Sequence, residues 1–188
     1  MMLHTELGSF FQYFKNVRNY KKIYNKIITP RPDLNIIYAN CFQGQRNPGV
    51  GKPLEHLEKK SYLLAKYDNV NIPMKAFNNK KGYNDLRSVV YDTHVADGTP
   101  FTIGGDHSIA IGTVAGSLDY YRQNLTTIWV DAHADINTYE ASSTKNLHGM
   151  PLSFLTGIDK SFIEMDGNEL STDRLLYFGL RYIDTFEE

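Results

Sequence analysis

Asp131, His133 and Asp135 alternate with Ala132 and Ala134 directly after the apolar run Leu125 to Val130. In an extended backbone residues i, i+2 and i+4 point to one side, which would gather these three ionisable groups within ~7 Å of chain. Groups so placed repel or desolvate one another unless a cation sits among them, so a purely structural origin is the weaker reading. Imidazole plus carboxylate, with no thiolate nearby, suits Mn, Mg, Fe or Zn rather than soft-metal or iron–sulfur chemistry. A carboxylate such as Asp131 is able to bridge two ions, and ions about 3.5–4 Å apart share and activate a water.

Gly104-Gly105-Asp106-His107-Ser108 places a further imidazole after another apolar run. Its paired glycines also read as a tight turn, with Asp106 or Ser108 capping the helix that follows. Asn146-Leu147-His148-Gly149-Met150-Pro151 comes later in the chain, and His148 is not spaced to lie beside the strand-end residues. A loop histidine next to a metal cluster is a candidate acid or proton shuttle.

These groups need a scaffold, and the pattern from Leu34 onward supplies one. Ile36-Ile37-Tyr38-Ala39 reads as a buried strand, Gly44 to Gly51 as a loop, and Leu54, Leu57, Tyr62 and Leu64 as a helical face. Val70-Asn71-Ile72 reads as a short strand. Leu86, Val89, Val90 and Val95 predict a helix ended by Gly98 and Pro100, followed by the strand Phe101-Thr102-Ile103. Ile111, Val114 and Leu118 predict another helix, Leu125 to Val130 a strand, and Leu175 to Phe178 a last strand. Strands alternating with helices imply an α/β fold with a doubly wound parallel sheet, whose sites lie at the carboxyl ends of the strands. Residues 1–34, with Phe10, Phe11, Phe14, Val17 and Tyr20 before Pro30 and Pro32, read as an N-terminal helical appendage to a domain spanning 35–188.

The chain has 188 residues, 20 Lys+Arg against 21 Asp+Glu, and 41% hydrophobic residues. That composition predicts a globular core and disfavours disorder, collagen and coiled coil. Near-neutral charge argues against nucleic acid or an anionic membrane as the main partner, leaving a small molecule. No run approaches the ~20 apolar residues of a membrane span, no signal peptide is visible, and Cys41 stands alone, so a soluble cytoplasmic protein is expected.

Taken in order, Gly104 to Ser108, Asp131-Ala-His-Ala-Asp-Ile-Asn-Thr138 and Asn146 to Pro151 resemble the binuclear manganese ureohydrolases, most closely the arginases. The resemblance extends from about Ile36 to the end of the chain and includes, more loosely, Gly44-Gln45 and Gly49-Val50. It implies a three-layer fold with two Mn2+ ions. His107, Asp131 and Asp135 would bind the first ion, and His133 would join Asp131 on the second. His148 would shuttle a proton. Asn137, Thr144 and Asn146 on one loop, and the acidic pair Asp184 and Glu187, would recognise the amino acid end of a substrate, which favours arginine over agmatine, a compound without the α-carboxylate. Thr144 stands where a serine is usual, and Lys145 replaces a glycine, adding a charge and a Cβ where the loop must bend. The implied reaction is hydrolysis of L-arginine to ornithine and urea by a metal-bridging hydroxide. A homo-oligomer is open to such a chain.

The family's remaining ligands are an Asp-x-Asp pair on a later strand, which has no counterpart before Glu188. The resemblance therefore implies a truncated chain lacking the C-terminal strands. Those strands would insert between the strand ending at Gly104 and the strand ending at Asp131. At ~4.8 Å per strand the two would stand about 14 Å apart, and without the insertion they either close up or leave edges unpaired. Two other readings share the motifs: a catalytically inactive homologue acting as a binding or regulatory partner, and a related amidinohydrolase acting on agmatine or another guanidino compound.

Overall fold

The computed structural model describes residues 34–52, 57, 68–73, 76–77 and 79–188. Strand β1 (Leu34–Ala39) lies in the centre of a three-stranded parallel sheet, between β2 (Asp68–Ile72) and β3 (Thr99–Gly104). Its run Ile36-Ile37-Tyr38-Ala39 is buried throughout, as a strand covered on both faces requires. Helix α1 (Lys80–Val95) starts where Asn79 Oδ1 accepts the Lys81 N–H at 2.9 Å, and it buries Tyr83, Leu86 and Val90. Helix α2 (Ala110–Tyr121) buries Ile111, Ala115 and Leu118 in the same core. Arg87 of α1 grips Asp119 of α2 bidentately through one guanidinium edge, Nε to Oδ2 and Nη2 to Oδ1.

The expected helical appendage over 1–34 lies outside the described residues, except Leu34, which opens β1 and so belongs with the domain that follows. The helical face expected at Leu54, Tyr62 and Leu64 also lies outside them; Leu57 is helical. Helix α3 (Pro151–Leu155) went unforeseen, because five fully buried residues carry no periodicity to read.

Every strand pairing is parallel, as the expected doubly wound fold requires, and the strands divide between two sheets. Strand β4 (Thr127–Val130), two residues shorter than the apolar run suggested, pairs in parallel with β5 (Leu175–Phe178) alone, giving a second sheet of two strands. Among the described residues, the outer edge of β3 and the free edge of β4 pair with no strand. Of the two outcomes open to the chain, edges have been left unpaired and the sheets have not closed up. Trp129 is buried in the core, whereas Ile128, Val130, Leu176 and Phe178 are 55–72% exposed on the other face. No helix among the described residues is long and apolar enough to cross a membrane.

Candidate metal centre

The loops after β3 and β4 meet although the strands do not pair. His107 stands in a single 3-10 turn, His107–Ile109, and its Nε2 lies 3.0 Å from Asp135 Oδ2 and 3.6 Å from Asp131 Oδ2. One ligand atom from each of His107, Asp131 and Asp135 falls within 4.8 Å of the others. Ligands at ~2.1 Å from an octahedral cation stand about 3 Å apart along each edge, so this spacing fits one divalent ion with little movement. Burial pulls the His107 pKa down, but the hydrogen bond to Asp135, its charge and those of Asp131 and Asp106 outweigh it and hold the group above its usual value. Asp131 moves the other way: burial raises it, yet the His133 N–H and the His107 charge hold it below the ordinary carboxylate range.

The extended-strand picture of Asp131, His133 and Asp135 on one side needs correction. β4 stops at Val130, and Asp135 takes a left-handed backbone with φ 54°, which aspartate tolerates better than most residues. The Asp135 carbonyl accepts the Leu152 N–H at the start of α3 (3.0 Å), which holds the reversed chain in place. Asp131 and Asp135 therefore converge on His107, while His133, 61% exposed at its side chain, turns to the other oxygen of Asp131. Its Nδ1 is 3.3 Å from Asp131 Oδ1, and its N–H donates to the same atom at 2.9 Å. Asp131 thus faces two imidazoles, one per oxygen, as a carboxylate shared by two ions would.

Sequence reasoning passed over Trp129 and Tyr177. The Trp129 indole donates to Asp135 Oδ2 at 3.2 Å, and its ring packs edge-on against His107 with centroids 5.0 Å apart. The Tyr177 hydroxyl donates to the Ala134 carbonyl at 2.7 Å. The signal for Trp129 was its place in β4, two residues before Asp131 and on the inward face of a period-two strand.

His148 lies in the 3-10 turn Leu147–Gly149 and is fastened to the loop after β1. Its N–H donates to the Gly44 carbonyl at 3.0 Å, and its Nδ1 is 2.7 Å from the same oxygen. Around the reversed loop, Asn137 Nδ2 donates to Asp184 Oδ2 at 2.6 Å, and Glu187 accepts from Ile136 N–H at 3.2 Å and Asp184 N–H at 3.1 Å. Thr144 Oγ1 accepts the Asn146 N–H at 3.4 Å in a separate turn. Lys145 there has φ 58°, the left-handed conformation that suits glycine, and its Nζ donates to the carbonyls of Tyr139 and Glu140 at 2.6 and 2.9 Å.

Asp159 anchors this loop from below, accepting from Tyr139 N–H at 2.6 Å and Ser161 N–H at 2.8 Å. Burial raises its pKa, but these donors outweigh it and hold the carboxyl below the ordinary value. A depressed folded pKa means stability present above the unfolded value of about 3.9 and lost as pH falls through the folded one. Asp159→Asn should cost about 1–3 kcal/mol at pH 7. The gap to the parent chain should narrow as pH drops below ~3.9, read from urea midpoints at both ends. A gap that is constant with pH would contradict this.

Comparison with known proteins agrees with the geometry. The profile described as the Arginase family matches residues 43–188. An arginase of Neurospora crassa is 35% identical over 201 aligned positions, taking in 88% of this chain and 56% of that protein. The crystal structure of Bacillus subtilis arginase superposes with a TM-score of 0.68 at 31% identity, over 82% of this chain and 58% of that one. That of Entamoeba histolytica arginase in complex with L-ornithine gives 0.70 at 26% identity, over 82% and 60%. This chain thus spans little more than half the length of these relatives, and its two sheets and helices form part of their α/β fold.

Proposed function

The chain belongs to the arginase family, and from that premise we propose that it is a metal-dependent hydrolase of guanidino C–N bonds, with L-arginine as substrate and ornithine and urea as products. The observation that supports this reading most is the convergence of His107, Asp131 and Asp135 onto one point from the ends of two strands that do not pair with each other. His107, Asp131 and Asp135 would hold the first ion, and Asp131 with His133 the second, Mn2+ being the ion of the family resemblance. When bound, such a metal pair supplies Lewis acidity that brings the pKa of water from 15.7 toward about 7, as attack on a delocalised guanidinium demands.

The remaining steps fall to the chain. His148 holds a proton at its ring and delivers it to the leaving amine, which cannot depart as an anion. Asp184 and Glu187, whose oxygens are pre-oriented by backbone N–H groups, offer their remaining lone pairs to the substrate ammonium. Asn137, beside Asp184, and Thr144 and Asn146 receive the α-carboxylate.

Urea release from L-arginine by the manganese-loaded chain tests this, with agmatine as competitor and His133→Ala as control. Arginine should be turned over faster than agmatine, which has no carboxylate for those groups. His133→Ala should retain one metal equivalent, lose the other, and lose urea release by about 100-fold or more. A folded, manganese-loaded chain that releases no urea would remove the hydrolase reading in favour of a binding role.

A further inference from the structure

Asp106 is buried, and a buried carboxylate needs every oxygen satisfied. Oδ1 accepts the Ser108 N–H at 2.8 Å, the ordinary cap of the turn that carries His107. Oδ2 has no part in that cap. It accepts the N–H of Gly44 at 2.8 Å, 62 residues away in the chain. The carbonyl of the same Gly44 then receives both the N–H and the imidazole of His148. A carbonyl oxygen only accepts, so the His148 nitrogen 2.7 Å away, Nδ1, is the protonated one.

The contact leaves no room for any residue but glycine. A Cβ at Gly44 would stand 2.3 Å from Asp106 Oδ1 and 2.5 Å from Ser108 Oγ. Beneath Asp106 lies a buried set of neutral donors: the Cys41 thiol is 3.7 Å from Oδ2, and the Tyr83 and Ser108 hydroxyls are 2.9 Å apart. Burial pushes both the thiol and the phenol up, so neither ionises to compete with the carboxylate.

We propose that Asp106 is a positioning residue for His148, acting through the Gly44 residue, whose N–H it holds and whose carbonyl fixes the imidazole with its proton on Nδ1, leaving Nε2 as the atom that carries the transferred proton. The inference rests on His148 as proton carrier, but the linkage from Asp106 to the imidazole has a readout of its own. Displacing a reacting group by ~1 Å costs about 100-fold, which is the scale on which such a support matters.

Asp106→Asn keeps the shape but offers one acceptor oxygen where two N–H groups need one each. Nitrogen-15 resonances of His148, recorded on the metal-free chain at about pH 9, above the imidazole range of ~6.5, report the tautomer directly. The parent should show a protonated Nδ1 and a bare Nε2; Asp106→Asn should show both tautomers. In the manganese-loaded chain its kcat should fall about 10–100-fold with KM within about twofold. Tyr83→Phe, which disturbs the same buried set but spares the path through Gly44, should keep the parent tautomer. A parent proton on Nε2, or an unchanged tautomer in Asp106→Asn, overturns the proposal. If Asp106→Asn does not fold, hydrogen exchange of the Gly44 amide in the parent decides: strong protection is expected, and exchange at the rate of an exposed loop amide overturns it. A tautomer that shifts as expected while His148→Ala still releases urea would remove the proton-carrier reading and leave the linkage standing.

Discussion

Asp131→Asn is expected to raise the manganese Kd by at least about 100-fold and to abolish urea release, the largest loss of any single side chain at the site. Asp131 has no substitute because its two oxygens do separate work: Oδ2 faces His107 at 3.6 Å and Oδ1 faces His133 at 3.3 Å. An amide presents a neutral, single-oxygen ligand to one side and an NH2 to the other, which repels a cation. One metal position would therefore lose its ligand atom, the other would keep only a neutral one, and both would lose their share of the carboxylate charge. His133→Ala removes only one position, so the two variants should order as parent with two ions, His133→Ala with one and Asp131→Asn with none. Calorimetric titration with Mn2+, checked by electron paramagnetic resonance of the unbound ion, measures both stoichiometries. A Kd for Asp131→Asn within about threefold of the parent would show that the carboxylate is not a ligand, whatever its position.

Gly105→Ala should be the most damaging of the small substitutions to the fold itself. Gly105 sits where the chain leaves β3, with its N–H donated to the Ala39 carbonyl at 3.0 Å, and the next N–H, of Asp106, donated to Cys41 at 2.9 Å. The ends of β1 and β3 are thereby laced together. A Cβ there would stand 1.8 Å from the Cys41 carbonyl oxygen and 2.9 Å from that of Val50. Both obstacles are backbone, so no side chain rotates away to relieve them, and the lacing must break. The expected cost is roughly 3 kcal/mol or more, or a Tm lowered by about 6–12 °C for a chain of this size. Because Asp106 and His107 follow directly, metal affinity should fall with it. Gly149→Ala provides the contrast, since a Cβ there meets nothing within 4 Å. Thermal denaturation of the two side by side checks the prediction; equal Tm values would refute it.

Local pattern carried most of the elements. The β-branched and aromatic runs at Ile36–Ala39, Val70–Ile72, Phe101–Ile103 and Leu175–Phe178 all lie within strands, and the apolar spacing through Leu86 to Val95 and Ile111 to Leu118 lies within α1 and α2. These signals are short-range: alternation and 3.6-residue spacing depend only on which face is buried. Strand pairing escaped the same reading because it is decided between segments. Nothing local to Thr127–Val130 says that its free edge meets no strand among the described residues, although its inward Trp129 lies in the core.

The site divides along the same line. Residue types and spacing alone marked Asp131, His133 and Asp135 as a cation-seeking set, because ligand chemistry is a property of side chains; the expectation that His107 joins them and that His148 serves them came from the family resemblance of the motifs. Only the tertiary structure decided how they are shared out. A left-handed backbone at Asp135, held by the Leu152 N–H at the start of α3, turns that carboxylate toward His107 and leaves His133 on the far oxygen of Asp131. The support of His148 through Gly44 and Asp106 spans 104 and 62 residues of chain, distances at which periodicity and spacing carry no information, because such contacts exist only once the core has brought the segments together.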